Sequence, residues 1–262
     1  MIDLQQVTTE ITEIAKKAGA FIRTEAKNFS KDKVEYKGKS DMVSYVDKEA
    51  EKILVSALQA LLPEAGFITE ENTVGQDQKE YTWVIDPLDG TTNFIHGLPT
   101  YAVSIGLMHH NAVVAGVVYE INHDEAFYAW KDGGAYLNGE PIHVTNVDKI
   151  DDGLFATGFP YYNFEKMTEY LAILNDLMKG AHGLRRVGSA ATDMAYVACG
   201  RYEAFFEYNL NSYDIAAGVI LVQEAGGKVS DFSGGDDYLF GRQLLAGGPV
   251  HSEVLRMIQK HW

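Results

Sequence analysis

The chain holds a single cysteine, Cys199, so no disulfide can form within it, and a reducing cytoplasm is its simplest compartment. Cys199 lies in an apolar-periodic stretch with no histidine or other evident base near it in sequence, and reads as core rather than nucleophile. Positive charge is scarce: Lys and Arg total 22 against 37 acids, a net charge of −15. That balance argues against nucleic acid and anionic membranes as main partners. No uninterrupted apolar run reaches membrane-spanning length. The opening Met1-Ile2-Asp3-Leu4-Gln5-Gln6 has neither a basic n-region nor an apolar h-region, so no signal peptide is expected. Repeats, low-complexity tracts and flexible linkers are missing. So are a G-x-S-x-G elbow, a G-x-x-x-x-G-K loop, a Cys/His metal cluster and a basic-aromatic stripe. The histidines are scattered, and His109-His110 reads as a turn.

What is present is a chain of 262 residues with an ordinary globular composition, enough for one large domain or two intimate halves. Leu4, Val7, Ile11, Ile14, Ala18 and Phe21 recur at helical spacing over 3–28. A polar, lysine-rich segment follows, and a second helix is expected over 44–62, stopped by Pro63. Gly66-Phe67-Ile68 reads as a short strand running into Thr69-Glu70-Glu71. From Tyr81 to about Asn138 the period becomes that of strands, expected over 81–85, 101–109, 112–120 and 124–130 as an antiparallel meander. Texture shifts near Asp151 and Pro160. Helices are then expected over 164–179, 189–199, 212–225 and 249–260, and strands near 184–187, 203–206, 228–231 and 243–246. This alternation points to a layered α/β architecture.

One stretch organises the rest: Trp83-Val84-Ile85-Asp86-Pro87-Leu88-Asp89-Gly90-Thr91-Thr92-Asn93. An apolar run ends in two aspartates, and Pro87 biases Asp86 towards extended backbone, which puts Asp86 at the strand's end. The turn that follows can aim both carboxylates at one point. Hard oxygen ligands on a short, stiff connector suit Mg²⁺. Gly90 lets the backbone approach a ligand, and the N–H groups of Gly90, Thr91 and Thr92 at a helix start can hold an anion. A plainer reading is a turn in which Asp86 and Asp89 merely cap a helix.

The full string resembles the signature of the inositol monophosphatase family, Mg²⁺-dependent, lithium-sensitive phosphatases related to fructose-1,6-bisphosphatase. Further pieces follow in the family's order. Lys37, then Asp41-Met42-Val43-Ser44-Tyr45-Val46-Asp47, resembles its lysine and D-x-V-T/S-x-x-D box, although Ser44 and Asp47 also fit a helix cap and Lys37 also fits a surface lysine. Glu70 matches the family's leading metal glutamate, with Glu71 a lesser candidate, and the pair also reads as exposed acids after a strand. Gly188-Ser189-Ala190 matches the turn that receives the substrate ring. Glu207 matches a glutamate that accepts hydrogen bonds from ring hydroxyls, the alternative being a strand-end carboxylate facing water. Asp214, in Tyr213-Asp214-Ile215-Ala216-Ala217-Gly218, resembles W-D-x-A-A-G, with Tyr213 where tryptophan is usual.

The resemblance implies an αβαβα sandwich spanning 1–262, with intimate halves at about 1–145 and 146–262 that meet at the metal site. It implies hydrolysis of inositol-1-phosphate with two or three Mg²⁺ ions. Glu70, Asp86 and the Leu88 carbonyl would hold one ion; Asp86, Asp89 and Asp214 would hold another, about 3.5–4 Å away. A third, weaker ion would use Glu70 and waters. Thr91 paired with Asp47 would take the proton of the attacking water. Asp89, Gly90, Thr91, Thr92, Gly188, Ser189, Ala190, Glu207 and Asp214 would contact substrate. Bound cations would also let so acidic a protein accept a phosphate ester. The resemblance further implies a cytoplasmic homodimer. Related folds hydrolyse fructose-1,6-bisphosphate, NADP or 3′-phosphoadenosine phosphate, and some bacterial relatives bind RNA polymerase, so those alternatives stay open.

Overall fold

The computed structural model describes residues 2–29, 34–36, 42–161 and 163–262. Helix α1 (Leu4–Ala26) starts at Asp3, whose carboxylate accepts the Gln6 N–H at 3.0 Å. Its buried stripe of Val7, Ile11, Ala15, Ala18 and Ile22 repeats at helical spacing. Strands β1 (Val34–Tyr36) and β2 (Met42–Ser44) pair antiparallel. Helix α2 (Tyr45–Leu61) follows at once, capped by Ser44, and buries Val46, Ala50, Leu54 and Leu58. Both helices lie close to their expected spans.

A seven-stranded sheet comes next. It takes β3 (Gly66–Thr69) and β4 (Tyr81–Asp89), then, after the short helix α3 (Thr91–His96), β5 (Ala102–His109) and β6 (Ala112–Glu120). β7 (Glu125–Trp130), β8 (Gly134–Leu137) and β9 (Glu140–Ile142) complete it in simple sequential order. All pairings are antiparallel except β3 with β4. The meander was expected; β8 and β9 were not, because Gly134, Gly139 and Pro141 make those short segments look like turn. β4 also runs further than expected. Asp86 is not at its end: the ladder resumes at Asp89, with a shift of register between the two. Pro87 has no N–H to give the ladder, so the strand bulges around it and continues.

The second sheet uses β10 (Leu154–Thr157), β11 (Gly183–Arg185), β12 (Ala204–Tyr208), β13 (Lys228–Ser230) and β14 (Gln243–Gly247) in the order β11-β10-β12-β14-β13. β10 is parallel to β11 and β12, while β14 is antiparallel to β12 and β13. The connecting helices are α4 (Met167–Gly180), α5 (Ala190–Ala198), α6 (Ser212–Glu224) and α7 (His251–His261).

Three apolar clusters define the layers. α1 and α2 cover one face of the large sheet, burying Ile11, Ile22, Leu54 and Leu58 with Trp83, Ile85 and Ile105. α5 and α6 fill the space between the sheets, where Met194, Ala217 and Ile220 share a core with Val84, Val118, Phe205 and Leu244. α6 is apolar nearly all round, as a helix covered on both sides must be. α4 and α7 close the outer face of the small sheet with Ile173, Leu177, Val254 and Ile258 against Phe155, Phe206 and Leu245. The result is the expected αβαβα stack. Cys199 caps the C-terminus of α5, where it is half-buried and packs against the central apolar cluster. Among the described residues no helix is long and apolar enough to cross a membrane.

Candidate functional site

The end of β4, the turn after it and the N-termini of α5 and α6 converge on a cleft of about 120 Å³ that adjoins a second of about 90 Å³. Glu70, Asp89, Gly188 and Asp214 wall both. Asp86, Leu88, Gly90, Thr91 and Thr92 line the smaller one, and Ser189, Ala190 and Glu207 line the larger. The structure thus brings these expected residues together. Glu71 does not reach the cleft wall; its N–H donates to Glu51 instead. Lys37 lies outside the described residues.

Asp86, Asp89 and Asp214 are each oriented by hydrogen bonds from neighbouring N–H or hydroxyl groups. Asp86, at the bulge and almost fully buried, accepts the Leu88 N–H on Oδ1 at 3.0 Å. Asp89 Oδ2 accepts the Ser189 hydroxyl at 2.6 Å and the Ala191 N–H at 2.7 Å. The positive end of α5 therefore faces Asp89. Asp214, in the first turn of α6, accepts the Asn211 N–H on Oδ2 at 2.6 Å. Asp47 does two jobs at once. Its Oδ2 accepts the Ser44 N–H and hydroxyl at 2.9 and 2.6 Å, capping α2, while Oδ1 accepts from Thr91 Oγ1 at 2.8 Å. Thr91 Oγ1 also lies 3.0 Å from the Leu88 carbonyl. A hydroxyl has one proton, and the carboxylate is the stronger acceptor. Pairing with Asp47 consequently leaves the Leu88 oxygen available to a ligand.

The turn itself is built for close approach. Gly90 sits at φ +93°, and a Cβ there would stand 2.9 Å from the Thr100 carbonyl, so only glycine fits. Asn93 Nδ2 donates to the carbonyls of Thr100 and Val187, both at 2.8 Å, which ties this turn to Gly188-Ser189-Ala190. Glu207 is buried inside β12 beside Leu244, not at a strand end facing water.

The crowded acids raise one another's proton affinity. Asp86 lies well above the usual carboxylate range, first through burial and then through Glu70, Asp89 and Asp214. Burial raises Asp89 to about 6, against relief from Ser189 and the α5 N–H groups. Asp214 rises to about 7 through burial and then Asp89. A cluster of this kind favours either protons or a cation. Its donors are all carboxylate and carbonyl oxygen, which fits a hard divalent ion such as Mg²⁺ and not a thiolate- or imidazole-seeking metal. A tighter group, Glu80, His109 and His110, has ligand atoms all within 4.8 Å of one another but lies at the opposite end of β4. The sequence hid it, because Glu80 meets the His109-His110 turn only through strand pairing.

Sequence reasoning passed over four residues that shape the site. Glu51, buried on α2, accepts from Thr69 Oγ1 and from the N–H groups of Glu71 and Thr73 at 2.7–2.9 Å, bracing the loop that carries Glu70. Gly158 lies against Glu207, where a Cβ would come within 1.9 Å of the carboxylate. Arg186 and Asp193 line the larger cleft. Arg186 had a visible signal in Arg185-Arg186 just before Gly188, whereas the others look like ordinary helix or loop residues.

Five alternating layers with an acid-walled cleft where the two sheets meet define the inositol monophosphatase class of fold. The pattern of the inositol monophosphatase family matches residues 3–262, and the chain belongs to that family. The protein named Nus factor SuhB of Escherichia coli is 44% identical over 240 residues, covering 90% of this chain and 88% of its own. An inositol-1-monophosphatase of Mesorhizobium japonicum is 39% identical, covering 94% of this chain and 92% of its own. The crystal structure of extragenic suppressor protein suhB from Bartonella henselae superposes with a TM-score of 0.91 at 37% identity, covering 98% of this chain and 100% of that one.

Proposed function

We propose that the chain is a Mg²⁺-dependent phosphomonoesterase that hydrolyses inositol-1-phosphate to inositol and phosphate. The observation that carries this reading is the Thr91–Asp47 hydrogen bond beside four acids that face one cleft. Glu70, Asp86, the Leu88 carbonyl, Asp89 and Asp214 would hold the ions, Asp86 being shared. Bound Mg²⁺ would lower the pKa of an attacking water and offset charge on the phosphoryl and leaving oxygens. Thr91 Oγ1 accepts the water's proton as it gives its own to Asp47 Oδ1. The N–H groups of Gly90, Thr91 and Thr92 orient the phosphoryl oxygens, and the Gly188-Ser189-Ala190 turn and Glu207 receive the ring. In this reading the acids are taken up as ligands or caps, so direct attack by water is expected and not a phospho-enzyme.

Phosphate release from inositol-1-phosphate, fructose-1,6-bisphosphate, NADP and 3′-phosphoadenosine phosphate, each with Mg²⁺, EDTA or added lithium, tests the reading. Inositol-1-phosphate should lead, EDTA should abolish turnover, and lithium should inhibit it. EDTA-resistant release, or a trapped phospho-enzyme, would sink the mechanism. A second reading comes from the relatives called Nus factor SuhB: a regulatory role through binding a protein partner such as RNA polymerase. A pull-down with Asp86→Asn separates the two, since binding that survives without turnover would be independent of catalysis.

A further inference from the structure

Two buried acids at the far side of the larger cleft are not needed to hold a cation. Glu207 stands on β12, and Asp193 stands one turn into α5, next to the Ser189-Ala190 turn; both line the cleft. Asp193 is 1% exposed, and its buried Oδ1 has no hydrogen-bond partner among the described residues. A buried, unpartnered carboxyl oxygen is costly, so its retention at a cleft wall asks for a ligand group to complete it. Arg186 does not complete it. The guanidinium reaches the Tyr161 hydroxyl at 3.3 Å and lies over the rings of Phe159 and Tyr161 at 5.7 and 6.0 Å.

We propose that Asp193 joins Glu207 in a two-carboxyl subsite that holds neighbouring ring hydroxyls of a polyol phosphate, and that Asp193 sets the preference for such substrates. The proposal rests on the phosphomonoesterase reading above and extends it to the non-reacting end of the substrate. Three observations converge on hydroxyl groups rather than on a second cation or anion. The acids belong to different elements, so they approach the substrate from two sides. Asp193 keeps a buried Oδ1 with no partner among the described residues, an acceptor that a ligand hydroxyl can satisfy. Arg186, the cationic residue of this wall, lowers the proton affinity of both acids and keeps one ionised carboxyl tolerable there. Asp193 is also an acid near the start of a helix, where it helps α5 through the dipole, but that role would act equally on every substrate.

The test compares wild type, Asp193→Asn and Asp193→Ala on inositol-1-phosphate and on p-nitrophenyl phosphate, an ester without hydroxyls, at saturating Mg²⁺. For Asp193→Ala, kcat/KM on inositol-1-phosphate should fall by about tenfold or more, the size expected for lost hydrogen bonds to a charged group, with p-nitrophenyl phosphate little changed. Asp193→Asn keeps the shape and one acceptor, so its loss should be smaller. Inositol phosphates lacking one ring hydroxyl add a second readout. Wild type should discriminate against one of them, and Asp193→Ala should lose that discrimination. Equal losses on both esters, or a preference unchanged in both variants, would overturn the subsite while leaving the phosphatase reading intact. If wild type hydrolyses neither ester, or shows no preference for the polyol, the functional reading fails and the subsite falls with it.

Discussion

Asp86 is the residue on which the cleft turns, because it faces Glu70, Asp89 and Asp214 together and is almost fully buried. Asp86→Asn keeps the shape but removes a charge shared by both expected ion positions. It should cost more turnover than any other single change, with the loss only partly recovered at high Mg²⁺; near-normal turnover at moderate Mg²⁺ would refute a shared role. Thr91→Ala and Asp47→Asn should each slow the chemical step by roughly 10²–10⁴. The double variant should be little worse than either, since the two act as one unit through a 2.8 Å bond. Additive losses in single-turnover rates would mean they act separately. Gly158 gives a subtler expectation. An alanine Cβ there collides with the end of the flexible Glu207 side chain, so Gly158→Ala should rotate that carboxylate and leave the backbone in place. Its kinetics should copy Glu207→Ala: roughly ten- to a hundredfold lower kcat/KM on inositol-1-phosphate, with p-nitrophenyl phosphate nearly untouched. Matching losses on both esters would place the effect in the fold. Asp86, Asp89 and Thr91 are legible in one string, since proline, glycine and paired acids there leave few other uses. Gly158 and Asp193 are not, because each matters only through a neighbour far away in sequence.

At the scale of elements, the site depends on struts that carry no chemistry. α2 supplies two: Asp47 from its first turn, and Glu51 one turn later. Glu51 accepts from Thr69, Glu71 and Thr73, so it pins the start of the loop after β3 and with it Glu70. Glu51→Ala strands several buried donors and should cost roughly 3 kcal/mol or more of stability. The measurement is urea unfolding, paired with the Mg²⁺ concentration needed for half-maximal activity, which should rise. A variant with unchanged stability but a raised Mg²⁺ requirement would put Glu51 in the ion site itself. Amphipathic helices such as α1 and α2 were readable from their stripes, and strands β5 to β7 from their alternation. β8 and β9 were not, because Gly134, Gly139 and Pro141 give them the look of turns, and β10 was not, because Gly153 and Gly158 bracket it as they would a loop. β4 was read short for a different reason: Pro87 breaks the hydrogen-bond ladder without ending the strand. Layer order followed from the family resemblance, since periodicity alone does not say which face of a sheet each helix covers.

Over the whole molecule, acids exceed bases and the net charge is −15. Part of that excess is concentrated where it costs most, in the cleft. Asp89 and Asp214, raised from 3.8 to about 6 and about 7, hold protons in the folded chain at pH values where the unfolded chain has released them. In EDTA the folded state therefore binds more protons than the unfolded state between about pH 4 and 7, and these groups make stability fall as pH rises through that window. Mg²⁺ competes with the same protons, so its stabilisation should be slight at pH 5 and greatest above pH 7. His251 works the other way. Its ring is buried with a pKa lowered to about 4, so its contribution is lost as pH falls below about 6.5. That loss is common to samples with and without metal, so the informative quantity is the difference in Tm between Mg²⁺ and EDTA at each pH. The difference should widen from pH 5 to pH 8 in wild type and stay nearly flat in Asp86→Asn. A flat wild-type difference would mean that the cleft acids release their protons to solvent rather than to a cation, and the ion site would have to be sought elsewhere.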